Sequence, residues 1–327
     1  MNGNETLYNK YLFKINNILN SNKEVEYLKS FYNYMGTKLS ISTRYNYINY
    51  VLNFIKYLKY KDVSKINLDD YTEFIGTISE CTPSYQIAVY SALKKFSKYL
   101  EASNKNSMNP MQYIERPNPS EKQSTIIKRN NGFLEEKEIV KYLRNVTTGI
   151  NDKRKISEVW KIRDYSIIIL FLNLGIRCSA LYKLDVSSIN FENKILITTE
   201  KRNKTREYEL SDDVCNVLLN WLDVRKEILG DINEDALFIS DRRTRIDNSS
   251  IYRIVNKYSK NIEGKNITPH KLRATYGTLL YNKTKDLYFV QDRMGHVNPK
   301  TTELYIRGQK SNNGKKAADI MSSLTFK

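Results

Sequence analysis

A polar segment near the middle of the chain limits the folds that the sequence can adopt. Residues 102 to 131 hold three of the six prolines of this 327-residue chain, set among Asn, Ser and Lys. Proline removes a backbone donor and interrupts helices, so this segment is predicted to be a linker rather than a domain interior. The chain is long enough for one domain on each side. We predict an N-terminal extension, a first domain, a linker and a second domain, over residues 1–22, 23–101, 102–131 and 132–327.

The first domain is predicted to be a bundle of helices. Apolar residues at helical spacing indicate four helices between residues 23 and 101. In the clearest of them, Thr43 to Lys59, Leu52 and Ile55 belong to one apolar stripe. Basic residues lie on the opposite face of this helix, and also of the helix that follows Pro83. The bundle therefore has basic outer faces.

The second domain is predicted to combine helices with a small sheet. Residues 165 to 174 are apolar nearly all round, which predicts a buried helix that Gly175 ends. Asn248 or Ser249 is predicted to cap a helix over Ile251–Lys260. The predicted fold class is mainly α with a small antiparallel β-meander, whose strands are Ser188–Phe191, Lys194–Thr199 and Thr205–Leu210.

The charge of the chain indicates a polyanionic partner. The formal net charge is +17, from 53 Lys and Arg against 36 Asp and Glu. Such a surplus is typical of proteins that bind nucleic acid, although a solvated basic surface is the alternative. The candidates for phosphate contact are Arg44, Lys56, Lys59, Lys94, Lys95 and Lys98 in the first domain, and Arg242, Arg243, Arg245, Arg253 and Lys257 in the second.

Both histidines of the chain lie in one short stretch near its C-terminal end. Thr268 and Pro269 predict the start of a helix, on which His270 and Arg273 share a face. Gly295 is predicted to end a second helix in the left-handed conformation, which leaves the second histidine at a turn. Arginine presents a rigid fork to phosphate oxygens, and histidine transfers protons near neutral pH. These residues suit phosphoryl transfer.

The order of these motifs resembles the tyrosine recombinases, also called phage integrases. His270-x-x-Arg273 is followed by Met294-Gly295-His296 and then by Thr-Thr-x-x-Tyr, in which Tyr305 stands nine residues after the second histidine. The family's first arginine lies in Gly-x-Arg-x-Ser, which matches Gly175 to Ser179 and places it at Arg177. Its lysine lies on a β-hairpin turn, here within Glu200 to Lys204, where the register favours Lys201. The resemblance covers roughly residues 20 to 320.

The resemblance implies a fold and a reaction. It implies a C-shaped clamp of two domains around double-stranded DNA, with a helical core-binding domain and a catalytic domain that ends in an exchange helix. It implies site-specific DNA strand exchange through a 3′-phosphotyrosyl link formed by Tyr305. Two alternatives are a type IB topoisomerase and a catalytically inactive DNA-binding protein. The implied catalytic set is Arg177, Lys201, His270, Arg273, His296 and Tyr305.

The resemblance also assigns roles and partners. The two arginines would hold the non-bridging oxygens, Lys201 would protonate the leaving oxygen, and His270 would act as a base or a donor. His296 would bond the phosphate. The protein would be a monomer alone and a tetramer on DNA, with an accessory directionality factor as a possible partner and a mobile genetic element as a plausible origin. No cofactor or metal is expected, because the covalent link conserves the energy of the broken bond.

One position departs from the family pattern, and several other sequence patterns are absent. Three residues after the first arginine the family usually has an acidic side chain, and this chain has Ala180. The three cysteines are widely spaced and form neither a disulfide framework nor a zinc pattern. Neither a signal peptide nor a long apolar run is present, so a cytoplasmic location without membrane contact is expected.

Overall fold

The fold was analysed in a computed structural model that carries all side chains. It describes residues 3–21, 26–36, 39–118, 133–149, 158–199, 205–259, 262 and 265–295. The chain divides into two compact units, Met1–Thr125 and Ile126–Lys327. Within the described ranges no helix is both long enough and apolar enough to cross a bilayer. Each unit has its own core of buried apolar side chains.

The first unit is a helical bundle, as predicted. Among the described residues it contains α1 (Gly3–Ser21), α2 (Tyr27–Met35), α3 (Ile41–Tyr57), α4 (Leu68–Thr77) and α5 (Pro83–Ala102). Helix α3 packs against α1, α2 and α5. Local signals fix the helix starts: the Ser40 hydroxyl accepts from the amide of Thr43 at 3.2 Å, and Asn67 and Asp70 form a capping box.

Part of the predicted linker packs against this unit. The side-chain amide of Asn106 donates to the carbonyls of Val63 and Ile66, and Met111 is fully buried. The Tyr90 hydroxyl donates to the carbonyl of Ile114 at 2.8 Å. Proline did not prevent this packing, because Pro110 starts a short 3-10 turn, where a missing amide hydrogen costs nothing.

The second unit is built around a buried helix. Its described helices are α6 (Glu136–Thr148), α7 (Glu158–Leu174), α8 (Cys178–Leu181), α9 (Asp212–Leu229), α10 (Asn248–Lys257), α11 (Pro269–Thr284) and α12 (Leu287–Met294). Helix α7 packs against α6, α9, α10 and α11. Its apolar composition follows from these neighbours, because little of its surface is left to solvent.

The predicted antiparallel meander is present and lies beside this helical core. Strands β1 (Ile189–Asn190), β2 (Ile195–Thr199) and β3 (Thr205–Glu209) pair in chain order. Ile195 lies opposite Glu209 and Thr199 opposite Thr205, so β2 and β3 are antiparallel neighbours. Residues 200–204, which join them in sequence and hold the predicted hairpin turn, lie outside the described ranges. Leu196 and Tyr208 point into the core.

The start of α10 differs from the prediction. Its cap is Asp247, whose carboxylate accepts from the amide of Ser250 at 2.6 Å, rather than Asn248 or Ser249. An aspartate, an asparagine and two serines follow one another there, and each is a good cap. Local sequence could not decide between them; the bridge that pairs Ile239 with Arg245 fixes where the chain turns into the helix.

Candidate active site

Arg177 occupies a fixed place between two helices. Helix α7 ends at Leu174, and Gly175 then takes φ +56°, a left-handed conformation that side chains disfavour. A Cβ atom at Gly175 would also overlap the ring of Tyr276, which packs directly against this backbone. The chain then turns, and Arg177 becomes the first residue before α8. Glycine is therefore required two residues before Arg177 for both conformation and space.

Arg273 lies in the interior of the same unit. Helix α11 starts as predicted, with Pro269 in its first turn and the Thr268 hydroxyl accepting from the amide of Lys271 at 3.3 Å. One turn later, Arg273 is only 5% exposed. Its guanidinium donates to the carbonyls of Gly175 and Met294. A buried cation needs such acceptors, so these two carbonyls hold the guanidinium in one orientation.

The C-terminal end of α12 is the point at which three arginines meet. As predicted, Gly295 ends this helix in the left-handed conformation (φ 59°, ψ 44°). Arg177 donates to the carbonyl of Gly295 at 2.9 Å, and Arg273 to that of Met294. A third arginine, Arg206 of β3, donates to the carbonyl of Asp292. Carbonyls at a helix C-terminus carry partial negative charge, which favours cations there.

These contacts bear on the departure at Ala180. That residue is 2% exposed and belongs to the apolar core, so no carboxylate projects from this position toward Arg177. The Gly295 carbonyl accepts a hydrogen bond from the Arg177 guanidinium. A backbone carbonyl at a helix end is thus one of the groups that orient this arginine.

His270 lies on the exposed side of α11, one turn before Arg273. Its pKa is lowered from 6.5, first by desolvation, then by the positive charges of Arg273 and Arg177. The two guanidiniums therefore act on this imidazole, although Arg177 is far away in sequence. At neutral pH the imidazole is uncharged and able to accept a proton.

The titration of His270 tests this arrangement directly. We expect its midpoint, followed by NMR in the free protein, to lie below 6.5. Arg177→Gln is expected to raise the midpoint, because one of the two nearby positive charges is removed. The chain has two histidines, so His270→Gln assigns the resonance. Arg253→Gln, on a different helix, is the control and should leave the midpoint in place. A midpoint at or above 6.5 would contradict the described geometry.

Half of the predicted catalytic set lies outside the described residues. The structure brings together Arg177, Arg273 and His270. Residues 201, 296 and 305, the predicted lysine, second histidine and tyrosine, are not among those described. Their assignments stay predictions.

The predicted phosphate contacts of the first unit differ in exposure. Lys56, Lys59, Lys94 and Lys98 are exposed, whereas Arg44 and Lys95 are half-buried. The Arg44 guanidinium lies 4.7 Å from the ring centre of Tyr32, and the Lys95 ammonium 5.8 Å from that of Tyr34. Stacking on an aromatic ring holds a cation in place without removing its charge.

The predicted phosphate contacts of the second unit also differ in exposure. Arg242, Arg243 and Arg253 are exposed. The guanidinium of Arg245 instead donates to the carbonyls of Tyr182 and Leu184 and to the carboxylate of Asp185.

Lys257 also faces the protein. Its ammonium lies 3.7 Å from the buried carboxylate of Asp164, which additionally accepts from Arg163 and from the Tyr258 hydroxyl. Removing one of the cations around a buried carboxylate costs stability. We therefore expect Arg245 and Lys257 to stabilise the unit more than they bind phosphate.

Sequence reasoning did not select Arg206. Its partner carbonyl is 86 residues away along the chain, so no local pattern points to the contact. The sequence feature that could have pointed to Arg206 is its place as the second residue of β3, the strand that follows the predicted hairpin turn.

Known proteins share this arrangement of motifs and fold. Residues 133–312 match the model of the phage integrase family. The chain belongs to this family. A tyrosine recombinase XerC from Caldanaerobacter subterraneus subsp. tengcongensis is 30% identical to it, over 91% of this chain and 90% of that protein. The family match and this relative show an enzyme, a site-specific tyrosine recombinase that cleaves and rejoins DNA.

Solved structures agree with the fold. A structure of the XerH site-specific recombinase bound to palindromic difH substrate superposes with a TM-score of 0.71, at 22% identity, over 95% of this chain and 88% of that one. A lambda integrase dimer bound to a COC′ core site superposes with a TM-score of 0.64, at 17% identity, over 88% of this chain and 96% of that one. At these identities the likeness establishes the mainly helical fold of this recombinase.

Proposed function

We propose that this recombinase cleaves double-stranded DNA through a covalent 3′-phosphotyrosyl intermediate formed by Tyr305. The observation that supports it is the convergence of Arg177 and Arg273 at the end of α12, with His270 close enough for both positive charges to lower its pKa. The chain continues from that end to His296 and Tyr305 within ten residues of Gly295. A nucleophile that follows a phosphate-binding site so closely can be held near it.

In the proposed reaction, the Tyr305 hydroxyl oxygen attacks the phosphorus atom. The new bond joins tyrosine oxygen to phosphorus, and the bond from phosphorus to the 5′ oxygen breaks. His270 accepts the tyrosine proton, and Lys201 gives a proton to the leaving 5′ oxygen. Rejoining reverses these transfers with the 5′ hydroxyl of another strand as nucleophile, so no external energy source is consumed.

The two arginines stabilise the phosphate in this proposal. Each guanidinium is a permanently charged fork with five donors, a shape and charge that match the non-bridging oxygens of a phosphate. Because the carbonyls of Gly175, Met294 and Gly295 fix the guanidiniums in advance, little reorganisation is needed as charge develops on the phosphate. His296 donates a further hydrogen bond to it.

The proposal extends to partners. Double-stranded DNA contacts both units, and four protomers assemble on paired sites, while the protein alone is a monomer. Exchange of a C-terminal helix, Lys315 to Leu324, between protomers would connect them. The DNA that undergoes strand exchange is a mobile genetic element or its host chromosome, and the reaction takes place in the cytoplasm. An accessory directionality factor would regulate it.

Covalent capture tests the proposed function. Wild-type protein is mixed with a pool of random-sequence duplexes that carry a nick, so that cleavage releases a short strand and the adduct accumulates. Sequencing the captured strands yields a defined substrate, called here the selected suicide duplex. We expect one family of sequences, attached through a 3′ phosphate to the peptide that contains Tyr305. Absence of any adduct would favour an inactive DNA-binding protein.

Plasmids that carry the selected sequence distinguish a recombinase from a topoisomerase. Plasmids with two selected sites should recombine, and a supercoiled plasmid without the site should stay supercoiled. Efficient relaxation of that plasmid, with no recombinant product, would assign the chain to DNA relaxation.

Two neighbouring arginines provide a prediction about DNA binding. Arg243→Gln is expected to reduce the slope of log affinity against log salt by about one, because one phosphate contact and its released counterions are lost. Arg245→Gln is expected to leave the slope nearly unchanged and to lower the free energy of unfolding by about 1–3 kcal/mol, since its partly buried acceptors lose their donor. Fluorescence anisotropy and urea denaturation measure the two effects. Equal slope changes in both variants would contradict the assigned contacts.

A further inference from the structure

Arg206 links the β2–β3 hairpin to the end of α12. Arg206 is the second residue of β3, and its side chain is half-buried. Its guanidinium lies 5.1 Å from the ring centre of Tyr208. From there it donates to the carbonyl of Asp292 in the last turn of α12. The stacked ring limits the freedom of the guanidinium, so the contact requires little ordering of the side chain.

Close packing reinforces the link. A Cβ atom at Gly295 would overlap a guanidinium nitrogen of Arg206 and would lie 3.8 Å from a guanidinium nitrogen of Arg177. The two guanidiniums therefore lie on the same turn, one from the hairpin and one from the start of α8. Gly295 is the last described residue before His296. A shift of the hairpin would therefore also displace the turn at Gly295.

A second contact joins the same strand and helix but is weaker. Arg293 lies 3.5 Å from the Glu209 carboxylate, and both side chains are substantially exposed, at 38% and 83%. Exposed ion pairs contribute about 0–1 kcal/mol, because water screens them. Arg206, which is half-buried and bonded to a backbone carbonyl, is therefore the stronger of these two connections between β3 and α12.

We propose that Arg206 is a positioning residue for cleavage, which sets the place of the hairpin tip relative to the site. It rests on the proposed function, since the tip carries Lys201 as the proton donor to the leaving oxygen. Arg206 acts through the Asp292 carbonyl and the Gly295 turn, and it does not touch the phosphate. Its loss frees the hairpin to shift and displaces the donor, while Arg177 and Arg273 keep their own carbonyl partners and DNA binding is retained.

This role has a chemical signature. When the bond from phosphorus to the 5′ oxygen breaks, the leaving oxygen needs a proton. If sulfur replaces that oxygen, the leaving thiolate is stable near neutral pH without one. A variant that has only lost proton donation therefore recovers on the sulfur substrate, whereas a variant with a damaged nucleophile or phosphate site does not.

The test compares Arg206→Ala and Arg206→Lys with Lys201→Ala on the selected suicide duplex. Arg206→Ala is expected to form the adduct roughly 10²-fold more slowly than wild type, the size of effect that follows from a small misplacement. Arg206→Lys, which keeps a donor, should lose less. On the duplex with a 5′-bridging sulfur, both Arg206 variants and Lys201→Ala should return to within about tenfold of wild type, since general acid catalysis is typically worth 10²–10⁴-fold.

Arg293→Ala is the matched control, because it removes the exposed link between the same elements. It should stay within about fivefold of wild type on both substrates. The DNA affinity and the thermal unfolding of every variant are measured as well, to check that each variant is folded.

Three results would overturn the inference. They are a wild-type rate for Arg206→Ala, a slow rate that the sulfur substrate does not recover while Lys201→Ala recovers, and parallel loss of binding and stability in both Arg206 variants. Failure of the proposed function has a different outcome, since the wild-type protein would then capture no strand from the random-sequence duplexes and no selected duplex would be obtained.

Discussion

Tyr305→Phe is expected to eliminate covalent attachment to DNA while leaving binding intact. The phenyl ring retains the shape of the side chain but has no oxygen with which to bond phosphorus. Loss of one hydroxyl should change the affinity for the selected duplex by no more than about tenfold, the value of a single hydrogen bond. Denaturing gel electrophoresis measures the adduct, and anisotropy measures binding.

Other tyrosines supply the controls for this experiment. Tyr288 is 81% exposed on α12, so Tyr288→Phe should form the adduct at the wild-type rate. The chain has 25 tyrosines, and an adduct that persists in Tyr305→Phe would require another of them to be the nucleophile. Tyr276 is poorly suited to that role, because burial raises its pKa although Arg293 and Arg206 oppose that shift.

Arg273→Lys is expected to reduce the rate of adduct formation by about 10²–10³-fold, the usual result of removing one preorganised donor from a site of developing charge. The ammonium keeps the positive charge, but it cannot bridge the carbonyls of Gly175 and Met294 and also present a fork to phosphate. One carbonyl should lose its donor, which lowers the free energy of unfolding by about 1–3 kcal/mol.

The matched control for this substitution is Arg253→Lys on α10. Arg253 is exposed and bonds the Ser250 hydroxyl at 2.8 Å, so stability should change by less than about 0.5 kcal/mol. Adduct rates on the selected suicide duplex and urea denaturation compare the two variants. If Arg273→Lys cleaves at the wild-type rate, the guanidinium fork is not what stabilises the phosphate.

Parts of the site depend only on local sequence. Thr268 and Pro269 start α11 because a hydroxyl satisfies one of the first amide groups and proline needs no partner there. Gly295 ends α12 because glycine adopts positive φ at no steric cost. The three strands follow from short β-prone segments separated by turns. In each case the determining atoms lie within a few residues of one another.

Other features follow from contacts that local sequence does not encode. The Asn106 amide reaches carbonyls 40 and 43 residues away, and this holds the part of the predicted linker around Asn106 against the first unit. Among several good caps, the bridge between Ile239 and Arg245 made Asp247 the cap of α10. Local propensity is a weak guide at such positions, because the tertiary packing contributes more free energy.

The sequence by itself determined which catalytic residue types are present and their order, because the motifs are short and each is contiguous. Only the tertiary structure decided how the arginines are held. Arg177 and Gly295 are 118 residues apart, and Arg206 and Asp292 are 86 apart. Bringing such distant groups together costs loop-closure entropy, which the buried core of the second unit offsets. The place of each guanidinium is therefore a property of the packed core and not of the residues beside it in the chain.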